Sequence, residues 1–323
     1  MPSPSSSRAV LLIHGGAGTL SREAMTPERA DAFHAGLAES LRAGHAILAA
    51  GGSALDAVTA AVQVMEDDPL FNAGRGAVYT TDARHEMDAA VMEGSARRAG
   101  AVTSICGPRY PVLAARAVME QTEHVLLAGD GAERFCRDAG LEFCPPDWFG
   151  TRNRLDALQA EMRRRAKGLA DDGDQSRKHG TVGAVALDSH GTLAAATSTG
   201  GMTAKRPGRV GDTPVIGAGT WADNRTCAVS CTGHGEYFIR YAVGHELDAR
   251  MRWGGQALTD AATTLVEQEL AAVGGSGGLI AVAHDGSFCL PFNSVGMYRG
   301  FVRTEQAVLH TGLFRDGERQ TPA

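Results

Sequence analysis

Apolar runs separated by glycine-rich polar breaks organise the chain from its first residues. Residues 9–13 (AVLLI) stop at His14-Gly15-Gly16-Ala17-Gly18, which predicts a buried strand ending in a turn. Pro27 opens an Ala- and Leu-rich helical stretch over 27–50. Gly51 and Gly52 end it, and Ser53 stands as the N-cap of a second helix. The segment PLFNAGRG over 69–76 is turn-rich. After it, strands are expected at 78–79, 86–92 and 101–106, and helices at 111–120, 131–139 and 151–166.

Residues 167–180 (KGLADDGDQSRKHG) break the pattern, being small and polar like an exposed linker. Beyond them, strands are expected at 182–187, 193–198, 226–230, 279–283 and 287–290, with helices at 235–252 and 259–272. Strands and helices come in blocks, without the regular alternation of a doubly wound sheet. The fold class expected is therefore α+β, with helices stacked on antiparallel sheets, and a four-layer αββα sandwich fits. The linker divides one domain into 1–180 and 181–323. No internal repeat is visible.

Composition narrows the partners. The chain has 323 residues, 43% of them hydrophobic, and a net charge of -6. It can bury a full core, and it offers no electrostatic footprint for nucleic acid. The basic cluster Arg163, Arg164, Arg165 and Lys167 is too local to change this. The apolar run at 9–13 is too short for a signal segment or a membrane span, so a cytoplasmic protein with no membrane partner is expected. Six cysteines include no C-x-x-C pair and are expected as free thiols.

Candidate chemistry reduces quickly. His245-Glu246 begins an H-E-x-x-H motif, but Ala249 stands where the second histidine belongs, so no zinc site follows. The glycines after His14 lack the spacing of a dinucleotide or Walker loop and read better as close backbone approach at a site wall. The junction Gly180-Thr181 is more informative, because a polar linker there meets a threonine heading an apolar strand. Cleavage before Thr181 would give that threonine a free α-amine, of reference pKa about 7.7–8.0, to serve its own hydroxyl as general base. Locally, an ordinary β-branched strand residue explains Thr181 as well.

Neighbouring segments strengthen the first reading. An antiparallel return would bring Thr197-Ser198-Thr199 beside Thr181. Arg209 and Asp212, in a glycine-punctuated turn, suit the α-carboxylate and α-ammonium of an amino acid, or else pair with each other at a surface. Cys231-Thr232-Gly233-His234-Gly235-Glu236 joins a strand to a helix through small residues, which suits an oxyanion hole.

Taken together, HGGAG, PLFNAGRGAV, GTVGAVALD, TSTGGMTAKRPGRVGDTP and VSCTGHGEYFIR, in order and spanning Val10 to about Tyr298, resemble the plant-type (type III) asparaginase/isoaspartyl aminopeptidase family. That resemblance implies the N-terminal-nucleophile hydrolase fold, and self-cleavage into two chains that stay together as an (αβ)₂ heterotetramer. It also implies action on asparagine or β-aspartyl dipeptides. Carried over by position, Thr181 is the nucleophile and Thr199 its helper in cleavage, with Asn72 steadying it. Arg209 and Asp212 clamp the substrate, Thr232 and Gly233 form the oxyanion hole, and Gly235 adds a backbone contact. No cofactor is implied for catalysis. A structural sodium ion would sit on main-chain oxygens of Met65, Glu66, Asp68, Phe71, Ala73 and Arg75. Asp82, Glu86 and Asp88 are not called on and read as structural. Rival readings are glycosylasparaginase, a protein-cleaving threonine aspartase, and an uncleaved binding protein.

Overall fold

The central strands are buried on both faces, which is why they read as continuous apolar runs. The structure, a computed structural model, describes residues 9–18, 22–168 and 180–323. The N-terminal tail, and the expected linker from 169 to 179, lie outside the described residues.

A nine-stranded sheet has the order β13-β12-β11-β1-β5-β6-β2-β3-β4. Its strands are β1 Val10–Ala17, β2 Met87–Glu93, β3 Arg98–Ile105, β4 Leu126–Ala128, β5 Val182–Leu187, β6 Leu193–Thr199, β11 Met297–Arg303, β12 Val308–Gly312 and β13 Arg319–Pro322. A second sheet, β10-β9-β8-β7, comprises β7 Thr220–Ala222, β8 Cys227–Gly233, β9 Gly277–Ala283 and β10 Phe288–Cys289.

Side-chain alternation sorts residues between two cores. Leu11, Ile13, Ala184, Ala186, Ala194 and Ala196 join the core with Leu37, Leu41, Val58, Val62 and Val118, on helices α1 Pro27–Ala49, α2 Ala54–Asp67 and α3 Pro111–Gln121. Val10, Leu12, Val185, Leu187 and Leu193 face the second sheet, in the core that also takes in Val229, Ile280, Leu247 and Leu258. Alanines on the helix-facing side let α2 pack closely on β5 and β6. Thr26 and Ser53 cap α1 and α2, each side chain accepting a main-chain N–H.

Three further helices, α4 Gly129–Asp138, α5 Pro146–Phe149 and α6 Arg152–Ala166, complete the part before Gly180. Among the described residues no helix is long and apolar enough to cross a membrane. All six cysteines are free.

Several expectations are corrected. The first strand does not stop at 13. It runs to Ala17 through a bulge between His14 and Gly16. The strand expected at 78–79 is absent, because Val78 N–H is taken by Asn72 Oδ1 and Thr80 makes only an isolated bridge to Lys205. The helix expected at 235–252 breaks at Ala242, which has φ 46°, into α7 Gly235–Arg240 and α8 Val243–Arg252. The helix expected at 259–272 is α9 Leu258–Thr263 followed by a π-helical turn, Thr264–Leu270. Strands β4, β7, β11, β12 and β13 have no counterpart among the expectations.

Candidate active site

Thr181 immediately precedes β5, and the β5/β6 register, which pairs Val182 with Ser198, brings Thr199 opposite it. Thr181 Oγ1 donates to Thr199 Oγ1 at 3.2 Å. Thr199 Oγ1 donates to the Gly180 carbonyl at 3.0 Å and accepts from Gly201 N–H at 2.9 Å. Asn72 Nδ2 donates to the same Gly180 oxygen at 2.7 Å and to the Gly201 oxygen at 2.8 Å. Val78 N–H fixes the other end of that amide at 2.9 Å. The bond before Thr181 is thus gripped by two donors on its carbonyl oxygen. From the far side Gly16 closes in at φ 117°, where a Cβ would stand 3.1 Å from Gly180 Cα and 3.3 Å from Thr181 N. Only glycine fits there without strain.

A small cleft opens beside this bond, lined by Gly180, Thr181, Thr199, Gly201, Arg209, Gly211, Asp212, Thr213 and Gly233. A larger hollow, lined by Tyr79, His85, Phe143 and Phe149, lies apart from these residues. Arg209 is oriented by Glu236, donating from Nε at 3.0 Å and from Nη2 at 2.9 Å to the two carboxylate oxygens. Asp212 is buried, and its Oδ2 has no hydrogen-bond partner among the described residues. Burial pushes its pKa up from 3.8 to about 7, although Arg209 pulls the other way. A buried acceptor without a donor, next to a guanidinium, is suited to a zwitterion that brings its own ammonium.

Other expected residues take their places around this cleft. Thr232 lies within β8, and its Oγ1 accepts from Ala17 N–H at 3.1 Å. Gly233, at φ 144°, reaches the cleft itself. Gly235 packs so closely that a Cβ would fall 2.8 Å from Asp212 Oδ1 and 3.1 Å from Arg209 Nη2. Glu86 takes the Gly208 N–H at 2.8 Å and, through its carbonyl, the Lys205 ammonium at 2.8 Å, bracing the turn that carries Arg209. Asp88 accepts from Thr103 and Ser104, and Asp82 from its neighbour Thr81.

Two contributors escaped the sequence reading. Glu236 carried a signal only in its position beside Gly235. His14 was read as part of a glycine turn, yet it is fully buried with Nδ1 2.8 Å from the Thr181 oxygen.

The loop after α2 turns tightly. Arg75 N–H meets the Glu66 carbonyl at 2.6 Å, and a Cβ on Gly76 would stand 2.6 Å from the Phe71 oxygen and 2.7 Å from the Pro69 oxygen. The Arg75 guanidinium turns outward over Trp148, 5.9 Å from its ring centre. Among the described residues there is no cluster of three or more His, Cys, Asp or Glu side chains able to hold a metal.

A buried threonine hydroxyl thus lies in one cleft with a guanidinium and a carboxyl that lacks a partner on one oxygen, an arrangement suited to a small zwitterionic amide. A sequence model of the asparaginase family matches residues 7–311, and the chain belongs to that family, whose members are hydrolases of the threonine-nucleophile type. The isoaspartyl peptidase of Salmonella typhimurium is 50% identical over 312 residues, covering 96% of this chain and 99% of its own. That of Escherichia coli is 49% identical, covering 96% and 97%. A Danio rerio protein named isoaspartyl peptidase/L-asparaginase is 41% identical, covering 94% and 95%.

Proposed function

We propose that this enzyme cleaves itself between Gly180 and Thr181 and then hydrolyses the side-chain amide of asparagine or of β-aspartyl dipeptides through an acyl-enzyme on Thr181. The observation that carries the reading is the convergence of Thr181, Thr199, Arg209 and Asp212 on one cleft. Names of relatives that include isoaspartyl peptidase support the dipeptide as a substrate.

In self-cleavage, Thr181 Oγ1 attacks the Gly180 carbonyl carbon. The C–N bond breaks as the acyl group moves to oxygen and the hydroxyl proton passes to the departing nitrogen, and water then hydrolyses the ester to leave a free α-amine and the Gly180 carboxylate. Asn72 Nδ2 and Thr199 Oγ1 stabilise the developing oxyanion. In turnover, the Thr181 amine takes the hydroxyl proton while Oγ1 attacks the substrate amide carbon. Thr232 and Gly233 serve the oxyanion, and the proton leaves with ammonia or with the departing amine. Water then releases aspartate. Arg209 holds the α-carboxylate, Asp212 the α-ammonium, and Gly235 keeps space for them.

The fold reading extends to the four-layer αββα sandwich of N-terminal-nucleophile hydrolases, with α1, α2 and α3 against one sheet and α8 and α9 against the other. Residues 1–180 and 181–323 are its two chains, assembled as (αβ)₂ in the cytoplasm. The close approach of Gly74 and Gly76 to main-chain oxygens of Glu66, Pro69 and Phe71 supports a structural sodium ion in this loop. Main-chain oxygens of Met65, Glu66, Asp68, Phe71, Ala73 and Arg75 would hold it, and its role would be to stiffen the loop carrying Asn72. The test is intact mass after incubation at neutral pH, followed by assays on asparagine and a β-aspartyl dipeptide. Two fragments meeting at Gly180/Thr181, with activity, are expected. A single inactive full-length chain overturns the proposal.

A further inference from the structure

We propose that His14, Ser230, Thr197 and Thr220 form a buried relay of hydrogen bonds that pins the main-chain carbonyl of Thr181 and ties it to the segment carrying Asp212. It rests on the reading of Thr181 as the nucleophile. The β1/β5 ladder ends at the pair His14 and Gly183, so the Thr181 carbonyl lies beyond the last main-chain pair on that side. A side chain takes over there, with His14 Nδ1 2.8 Å from the Thr181 oxygen. A carbonyl only accepts, so Nδ1 carries the proton.

The rest of the relay follows from that tautomer. His14 is fully buried, which drives its pKa down to about 3 and keeps the ring neutral at ordinary pH. Nε2 is then a bare acceptor and takes the proton of Ser230 Oγ at 2.8 Å. Ser230 Oγ must in turn accept from Thr197 Oγ1 at 2.8 Å, and Thr197 from Thr220 Oγ1 at 2.8 Å. Thr220 Oγ1 also lies 3.0 Å from the carbonyl of Thr213, the residue after Asp212, and shares its single proton between the two acceptors. His14, Thr197, Thr220 and Ser230 are all inaccessible to solvent. These side chains come from β1, β6, β7 and β8, and so from both sheets.

Gly183 shows how closely the passage is built. A Cβ there would fall 2.0 Å from Ser230 Oγ and 2.5 Å from His14 Nε2. The second residue after the nucleophile is thus a glycine because the His14–Ser230 bond crosses its face.

The relay matters most after cleavage. A mature Thr181 has no covalent tether on its amine side, so the orientation of amine and hydroxyl depends on what holds its carbonyl and Cα. His14 fixes that peptide plane, while the substrate is held separately by Arg209 and Asp212. Loosening the plane misplaces the attacking oxygen by fractions of an ångström, which penalises the chemical step and leaves binding nearly untouched. His14 is accordingly a positioning residue, and Ser230 orients it.

The test compares variants as kcat per mole of free Thr181 terminus, counted by mass spectrometry. His14→Ala should lower kcat by about 100-fold with KM within about threefold. His14→Asn places an amide N–H near the Nδ1 position and should recover at least about tenfold, whereas His14→Gln, whose amide extends toward Nε2, should not. Ser230→Ala should cost less, and His14→Ala/Ser230→Ala should be no slower than His14→Ala alone, as expected for groups acting in series. Should His14→Ala fail to fold, the Asn and Gln variants still decide, because both keep bulk in the site. The relay is overturned if folded His14→Ala keeps kcat within about twofold, if KM rises in step with the loss of kcat, or if Asn and Gln behave alike. A wild-type protein that never turns over sinks the parent reading instead, so the two failures are distinguishable.

Discussion

Asp212 couples stability to function in a way that pH can read. Its carboxyl is buried without a partner on Oδ2, and burial lifts its pKa from 3.8 to about 7 against the pull of Arg209, with Glu236 and Asp88 adding to the rise. A shift of that size corresponds to on the order of 4 kcal/mol to ionise the group in the empty cleft, an upper figure because water that enters would lessen it. The native value lies above the unfolded one. This group's contribution to stability is therefore complete below about pH 4 and is lost as pH rises through about 7. On the proposed reading only the carboxylate attracts the substrate ammonium, so binding is gained over the window in which stability is lost. KM for asparagine should then fall about tenfold from pH 6 to pH 8, as the ionised fraction grows. Asp212→Asn should forfeit about 2–4 kcal/mol of transition-state binding, a loss of about 30- to 1000-fold in kcat/KM, and flatten KM against pH. The same change should raise Tm at about pH 8 by a few degrees, since no charge is left to bury. Initial rates of ammonia release across this pH range, with thermal melts of the same samples, measure all three. A wild-type KM indifferent to pH, or an Asp212→Asn protein both as active as wild type and less stable at pH 8, would refute the reasoning.

Arg209→Ala removes the guanidinium that Glu236 orients and should cost about 2–4 kcal/mol in kcat/KM, while leaving self-cleavage intact because no substrate carboxylate takes part in it. Kinetics and a denaturing gel on one preparation check both halves. Thr181→Ala should stay full length and inactive by intact mass, and Thr181→Ser should cleave and turn over more slowly, since losing the methyl frees its rotamer. Thr199→Val keeps the shape but removes all three hydrogen bonds of that hydroxyl, so the half-time of cleavage should lengthen by about 100-fold with Tm little changed. Cleavage at the wild-type rate would exclude Thr199 from the step.

Much of the candidate site's clustering was legible because its signals are local. A polar segment running into the unbroken apolar strand 182–187 marked the junction at Thr181, and the next strand supplied Thr199 by simple antiparallel return. Arg209 and Asp212 announced themselves by charge within a glycine turn. What stayed hidden depends on tertiary contact. His14 looked like the first residue of a loop, because the bulge that lets β1 continue to Ala17 has no sequence mark beyond the glycines themselves. Ala242 carries φ 46° although alanine disfavours it, so the break between α7 and α8 is imposed by packing and not by propensity. Strand β11 was obscured by Arg299, a charged residue buried in the sheet, where the carbonyls of Met297 and Phe314 accept from its guanidinium. Glu236 reached Arg209 only once β8 and the turn at 208–212 had been brought together.

The hydroxyl of Thr199 links the two reactions assigned to this cleft. It accepts from the Thr181 hydroxyl and donates to the Gly180 oxygen, so on the proposed reading a continuous chain of hydrogen bonds runs from the attacking hydroxyl to the oxygen that becomes negative. Gly201 N–H leaves Thr199 Oγ1 free to donate in only that sense, because the amide already occupies an acceptor position. Asn72 supplies a second donor to the same oxygen and is itself locked by Val78 N–H, so neither group must reorganise as charge develops. On the proposed reading, departure of Gly180 removes the acceptor of both donors and empties the space beside Thr181, while the Thr181–Thr199 contact and the His14 bond to the Thr181 carbonyl are untouched. The Thr181 hydroxyl, held in the same place, then meets the amide carbon of a substrate held by Arg209 and Asp212, with Thr232 and Gly233 facing its oxygen. On that reading self-cleavage and turnover share the Thr181 hydroxyl with its Thr199 and His14 contacts, and differ in the carbonyl attacked and in the donors that face its oxygen.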